Sequence, residues 1–219
     1  MKGNPPRARH ASEVPFDHYY SENPASELRV VSVELVLKNG LRMGFQSPSG
    51  VFAFGKVDRA AKVLVENARI RGKELLDLGC GFGMVGLALK KQNPSLQLSM
   101  SDVNQRAVRF AKVNAQQYNL VARVRQGDGF APWTGEEFDM ILCNPPMAAG
   151  KRVWMEWISQ APGFLRAGGS LQVVAFHNKG GESACRHMER VFGNVQTLVK
   201  SGGIRVYCSR KGVFPDEEE

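Results

Sequence analysis

Residues 74–86 read Glu74-Leu-Leu-Asp77-Leu-Gly79-Cys-Gly81-Phe-Gly83-Met-Val-Gly86, and the fold is decided by this stretch. A short apolar strand over 74–78 runs into closely spaced glycines and then into a helix from Met84 to about Lys91. Glycine lets the backbone turn sharply and lets a ligand approach the main chain, while a helix N-terminus offers unpaired N–H groups. The pattern fits a nucleoside ligand but leaves its type open, because Gly81, Gly83 and Gly86 also satisfy the dinucleotide spacing G-x-G-x-x-G. Asp77, two residues before the first glycine, would repel a pyrophosphate and welcome a cationic amino-acid moiety. Ser-Leu-Gln-Leu-Ser-Met-Ser over 95–101 reads as a second strand ending at Asp102, where a carboxylate suits ribose hydroxyls under either reading.

A second stretch, Ile141-Leu-Cys-Asn144-Pro-Pro-Met147, carries chemistry of its own. Proline fixes φ and lacks a donor, and the residue before it is forced to extended geometry. The spacing therefore predicts a rigid turn after a buried strand, with the Asn144 side-chain oxygen and a free Pro145 carbonyl as converging acceptors. Two acceptors suit a planar amine with two N–H donors. The plain alternative is an ordinary proline turn.

Outward from these motifs the chain alternates. Helical periodicity covers 57–68, strands are expected at 74–78, 96–101, 121–126, 138–143 and 170–176, and helices at 84–91, 104–118, about 151–165 and 182–192. In the helix at 104–118, Val108, Ala111, Ala115 and Tyr118 form the buried stripe. Trp154, Trp157, Ile158 and Ala161, at i, i+3, i+4 and i+7, read as core. Strands at 195–200 and 204–210 joined by Ser-Gly-Gly form a closing antiparallel hairpin. Another hairpin opens the domain, with strand character over 28–38 and 41–45 about a type I′ turn at Asn39-Gly40. The fold class is α/β, with a mostly parallel sheet covered on both faces and ligands at the carboxyl ends of the strands. One domain over 28–212 is expected, preceded by a flexible segment (1–27) and followed by an acidic tail (213–219).

Composition bounds the function. At 219 residues, 43% hydrophobic and 23% charged, the chain suits a single α/β domain with a full core. No apolar run reaches the ~18–20 residues a membrane span needs, and the first thirty residues lack a signal-peptide core. Cys80, Cys143, Cys185 and Cys208 show no CxxC spacing, so neither zinc nor a disulfide framework is indicated and a cytoplasmic location is the expectation. Net charge is +8; without Asp216-Glu-Glu-Glu219, 29 basic residues face 17 acidic ones, giving +12. Such a field attracts polyanions, and RNA is the expected partner. Lys2, Arg7 and Arg9 in the leading segment are candidates to help hold a phosphate backbone. Nothing fixes the oligomeric state; a monomer is the expectation.

Asp77-Leu-Gly-Cys-Gly-Phe-Gly83, Asp102, Gly127-Asp128 and Asn144-Pro-Pro146, in this order and at these intervals, resemble class I S-adenosylmethionine (SAM)-dependent methyltransferases. The similarity is to the small-domain family that includes the ribosomal RNA guanine-N2 methyltransferases, in its single-domain archaeal-type form. Ser49-Gly-Val-Phe-Ala-Phe-Gly-Lys-Val-Asp58 and Ala148-Ala-Gly-Lys151 strengthen it, and it extends over residues 28–210. The resemblance implies a Rossmann-like, mostly parallel seven-stranded sheet with an antiparallel last strand, carrying the N-terminal β-hairpin in addition. It implies SAM as cofactor, with Gly79, Gly81 and Gly83 against its methionine part and Asp77 near its ammonium. Asp102 would take the ribose, Val103 would pack on the adenine and Asp128 would accept the adenine amine. Asn144, Pro145 and Pro146 form the catalytic turn, with Asn144 also bordering the cofactor. Many members carry an aromatic residue where Met147 stands, so Phe52 and Phe54 become candidates, beside Met147, for stacking on the target base. Lys151 and Arg152, following the turn, are candidates for RNA contact. Bacterial guanine-N2 enzymes of this kind carry an additional amino-terminal domain absent from these 219 residues, so their substrate recognition does not transfer. The implied activity is methylation of an exocyclic RNA amine, guanine-N2 of ribosomal RNA first and cytosine-N4 next. A protein glutamine amide, a dinucleotide-dependent oxidoreductase and a non-catalytic nucleoside-binding module are the other readings.

Overall fold

The computed structural model describes residues 22–24, 26–147 and 150–212. Its centre is a seven-stranded sheet built from β3 (Glu74–Leu78), β4 (Gln97–Asp102), β5 (Ala122–Gln126), β6 (Phe138–Cys143), β7 (Leu165–Phe176), β8 (Gln196–Ser201) and β9 (Ile204–Arg210), in the spatial order β5-β4-β3-β6-β7-β9-β8. Neighbours from β5 to β7 pair in parallel, and β9 runs antiparallel to both β7 and β8. Strand order reverses between β3→β4→β5 on one side and β6→β7 on the other, which opens a crevice at the carboxyl ends of β3 and β6.

The glycine-flanked strand is central because its side chains feed both faces. Leu75 joins the core beneath α1 (Arg59–Asn67), α2 (Met84–Gln92) and α3 (Gln105–Gln117), while Leu76 and Leu78 join the core beneath α4 (Lys151–Gln160) and α5 (Glu182–Phe192). A strand buried on both sides reads as a continuous apolar run rather than an alternation. The residues expected as core on α4 and just past it are core: Trp154, Trp157, Ile158 and Ala161 are all buried. On α3, Val108, Ala111 and Ala115 are buried as expected, together with Ala107, Phe110 and Asn114, whereas Tyr118, expected in the same stripe, is the half-buried C-cap.

The separate hairpin β1 (Val30–Val36) and β2 (Arg42–Pro48) packs Leu35, Met43 and Phe45 into the first of these cores. Buried Asn114 on α3 accepts from Gln46 N at 2.8 Å and donates to Phe82 O at 2.9 Å, and the Tyr118 hydroxyl bonds Gly44. The hairpin thus fixes the loop that follows it over the crevice. Its turn corrects the type I′ expectation. Asn39 does not adopt positive φ; only Gly40 does, at +87°. Gly40 N donates to Leu37 O and the Asn39 side chain accepts from Leu41 N. This is the three-residue loop with glycine in the left-handed position, which places the return strand later than expected, at 42–48.

Other boundaries moved too, two of them by five residues. The helix expected over 151–165 stops at Gln160, because Pro162 has no N–H to continue the ladder, and a 3₁₀ turn over Ala161–Phe164 follows. β7 begins at Leu165 rather than 170, with a shift of register against β6 between Phe138 and Met140. The leading segment is in part pinned: Arg106 donates to the carbonyls of Pro24 and Ser26, and Gln105 N to Glu22 O. Residues 1–21, with Lys2, Arg7 and Arg9, and the tail 213–219 lie outside the described residues. Among the described residues no helix is long and apolar enough to cross a membrane, and no cluster of His, Cys, Asp or Glu is arranged for a metal ion.

Candidate active site

The carboxyl ends of β3, β4, β6 and β7 open into one cavity of about 330 Å³, within the range of small-ligand sites. It gathers most of the residues singled out from sequence: Asp77, Gly79, Gly81, Asp102, Val103, Asn144, Pro145, Pro146, Met147 and Phe52 all line it.

The floor is made of main chain and two carboxylates. Gly79 N and Cys80 N both donate to Ser101 O at 2.9 Å, tying the glycine loop to β4. Gly79 has φ +71° and lies where an added Cβ would sit 3.3 Å from the Trp157 ring, so both the turn and the close approach require glycine here. Asp102 clamps the loop, its Oδ2 accepting from Gly81 N at 2.8 Å and its Oδ1 from Asn104 N at 2.9 Å. Each oxygen keeps lone-pair capacity for a ligand hydroxyl. Burial pushes its carboxyl up to about 6, against the pull of the Asn104 and Gly81 N–H groups.

Asp77 is only 2% exposed and accepts from Gly86 N at 2.8 Å. Burial pushes it up to about 7; the Gly86 N–H works against this and the nearby Asp102 charge reinforces it. Gly86 lies in the first turn of α2, where a pyrophosphate would need a free N–H. A side chain of the protein already holds that group, which argues against the dinucleotide reading. Two costly carboxylates on one floor are complementary to a cationic ligand. An amino acid-bearing sulfonium with a ribose diol, as in SAM, fits this donor set; Asp77 and Asp102 would hold its two ends. Gly83, by contrast, is absent from the lining; a methyl group there would meet Leu87 and Ala111, so glycine serves the contact between α2 and α3.

The wall opposite is the Asn144-Pro-Pro turn that ends β6. Asn144 Nδ2 donates to Asp58 Oδ2 at 2.9 Å. Asp58 is the N-cap of α1, the same oxygen accepting from Ala61 N at 2.8 Å. With its NH₂ so engaged, Asn144 has Oδ1 left for a ligand. The Pro145 carbonyl is not free as expected: Met147 N donates to it at 2.8 Å, closing a tight turn and leaving its second lone pair.

At the rim stand Phe52 (43% exposed), Met147, Phe176 (37% exposed) and Lys179. Phe54 is half-buried and outside the lining. Asp128 is exposed, and its neighbours Gly127 and Gly129 line the wall in its place. Lys151 and Arg152 are exposed on the first turn of α4. Cys80 and Cys143 are buried, and burial pushes both thiols well up, away from nucleophilic thiolates.

Sequence reading missed Asp58, Phe176 and Lys179 as site residues and assigned Trp157 to the core alone, although it also borders the cavity. Phe176 and Lys179 had a usable signal, since they end or follow a strand whose carboxyl end faces the ligand. Asp58 stood inside the helix expected over 57–68; the structure makes it the N-cap of a helix that starts at Arg59, and nothing in the spacing marked it as a partner of Asn144.

Comparison with known proteins agrees with the geometry. The family model described as Methyltransferase small domain matches residues 42–208. A Bacillus subtilis (strain 168) protein, YbxB, is 32% identical over 200 residues, covering 89% of this chain and 98% of its own. Ribosomal RNA small subunit methyltransferase C of Vibrio vulnificus (strain CMCP6) is 29% identical over 196 residues, covering 86% of this chain and 55% of its own. The structure of the T. thermophilus 16S rRNA N2 G1207 methyltransferase, in complex with AdoMet and guanosine, matches with TM-score 0.71 at 26% identity, over 85% of this chain and 51% of that one. The chain spans about half the length of these two ribosomal RNA methyltransferases. From the glycine loop to the terminal hairpin, the chain belongs to the methyltransferase small domain family.

Proposed function

We propose that the protein is a SAM-dependent methyltransferase acting on an exocyclic amine of an RNA base, guanine-N2 of ribosomal RNA. The observation that carries this reading is that one cavity joins a doubly carboxylated floor to an acceptor-bearing Asn-Pro-Pro turn. The floor suits a cationic nucleoside cofactor and the turn suits an NH₂ donor. When bound, the cofactor supplies a methyl group on an electron-poor sulfonium.

The rest is the work of the chain. An exocyclic amine is a weak nucleophile because its lone pair is delocalised into the ring. Asn144 Oδ1 and the remaining lone pair of the Pro145 carbonyl, each taking one N–H, favour a pyramidal nitrogen with its lone pair turned toward the methyl group. The nitrogen becomes acidic only as the new N–C bond forms and the S–C bond breaks, so no strong base is needed and the surplus proton passes to bulk water. Phe52, Met147 and Phe176 flank the mouth and would cover the base, excluding water. Well-oriented reactant pairs can gain up to ~7–11 kcal/mol from such positioning. The basic surface, +12 without the tail, favours an RNA substrate over a protein amide, and reduced cysteines fit a cytoplasmic enzyme. The acceptors do not by themselves separate guanine from cytosine; the ribosomal guanine-N2 methyltransferase among the similar structures supports guanine.

The test is incubation with labelled SAM and, separately, small-subunit ribosomal RNA, transfer RNA and protein extract, followed by digestion. Label is expected in N2-methylguanosine from ribosomal RNA. Label confined to protein overturns the reading.

A further inference from the structure

We infer that Asp58 is a positioning residue for methyl transfer: it holds the Asn144 amide in the one orientation that presents an oxygen, rather than an NH₂ group, to the target amine. The inference rests on the proposed reaction and concerns how its selectivity for a donor is built.

An asparagine amide is nearly symmetric in shape but opposite in polarity at its two ends. Rotated by half a turn, Asn144 would offer two N–H donors to a substrate that itself brings N–H donors, and the pair would repel. A carboxylate oxygen only accepts. The contact from Asn144 Nδ2 to Asp58 Oδ2 at 2.9 Å therefore fixes which end faces away from the cavity. Asp58 is in turn immobilised, because the same oxygen caps α1 through Ala61 N at 2.8 Å, and Ala60, Ala61 and Leu64 of that helix are buried. The link joins residues 86 apart in sequence, so the N-cap of a helix on one side of the crevice sets the polarity of the catalytic turn on the other. A base edge that brings a carbonyl or a ring lone pair instead of NH₂ would meet like polarity at Asn144 and be rejected, since an unmatched buried polar pair costs more than a missing contact.

The decisive experiment separates capping from positioning. Asp58→Ser retains a first-rank cap but is too short to reach Asn144. It should melt close to the wild-type temperature and bind SAM and its demethylated product unchanged. Its kcat should fall at least about tenfold, the loss expected for one charge-assisted hydrogen bond, with KM for RNA little altered. Asp58→Asn keeps an acceptor oxygen and should lose less. In the Asn144→Ala background, Asp58→Ser should slow the enzyme no further, because there is no amide left to orient. Wild-type kcat in Asp58→Ser, or losses that multiply in the double variant, would overturn the inference. A check that does not depend on how Asp58→Ser folds is the exchanged pair Asp58→Asn with Asn144→Asp, which should turn over faster than Asn144→Asp alone; no gain overturns it. The two readings fail separately: wild-type turnover in Asn144→Ala removes the amine reaction itself, whereas a slow Asn144→Ala beside a fast Asp58→Ser removes only the role of Asp58.

Discussion

The floor and the rim of the cavity are built by different physics. On the floor, Asp77 and Asp102 bond main-chain N–H groups 9 and 21 residues away, and the glycine loop hangs from a single carbonyl of β4. In the wall and rim above it, Phe52, Asn144, Met147, Phe176 and Lys179 come from three separate segments, and Asn144 bonds a residue 86 positions away. The floor is a rigid receptor for a charged ligand, paid for by burying two carboxylates. The rim is a set of side chains whose placement depends on the hairpin, the α1 cap and the end of β7 all being in register. Cofactor binding therefore belongs to local sequence and substrate choice to tertiary assembly, and variants on the two sides should separate accordingly.

The largest effect is expected in the wall. Asn144→Ala should reduce methyl transfer by ~10²–10³, the scale of losing one preorganised polar group, while calorimetry shows SAM affinity near the wild-type value. On the floor, Asp102→Ala should weaken SAM at least about tenfold through the lost ribose bonds. It should also lower the melting temperature, since Gly81 N and Asn104 N lose their acceptor.

Asp77→Asn tests the tension on the floor. Both carboxyls are raised in the folded protein, to about 7 for Asp77 and about 6 for Asp102, above the ordinary ~3.9 of an unfolded aspartate. The folded state then binds more protons than the unfolded one between those values. Their stabilisation is fully present below pH ~4 and is lost as pH rises through 6 and 7. Without ligand, the wild-type melting temperature should be lower at pH 8 than at pH 5. Asp77→Asn, able to accept from Gly86 N without charge, should flatten that dependence while binding SAM more weakly. Equal pH dependence in the two proteins would show that Asp77 is not strained. The smallest effect is reserved for Phe176→Ala, which should raise KM for RNA about fivefold, the lower end of stacking on one base, and leave SAM affinity alone.

How much was legible follows the same division. The strands at 74–78 and 138–143 and the helix at 182–192 were read to the residue, because an apolar run bounded by glycines or prolines is a local signal. So were the glycine loop, Asp102 and the Asn-Pro-Pro turn that the cavity brings together. What escaped was non-local. The capture of Asn144 by Asp58 leaves no trace in spacing, since an aspartate that caps a helix and one that also bonds a distant amide are the same residue type. The Asn39-Gly40 dipeptide permits two loops, and the pairing of Leu37 with Leu41 chose the longer. Gly83 satisfies a ligand motif while serving the packing of α2 on α3. Pro162 ends a helix whose hydrophobic periodicity runs on past it.

The central claim is that the site takes the exocyclic amine of guanine. Its most direct test uses two otherwise identical RNAs, one with guanosine and the other with inosine at the methylated position, since inosine differs only by lacking that amine. With labelled SAM, the guanosine RNA should be methylated to N2-methylguanosine and the inosine RNA should take up no label. Equal labelling of both would contradict the account, because the methyl group would then be going to an atom that Asn144 does not hold.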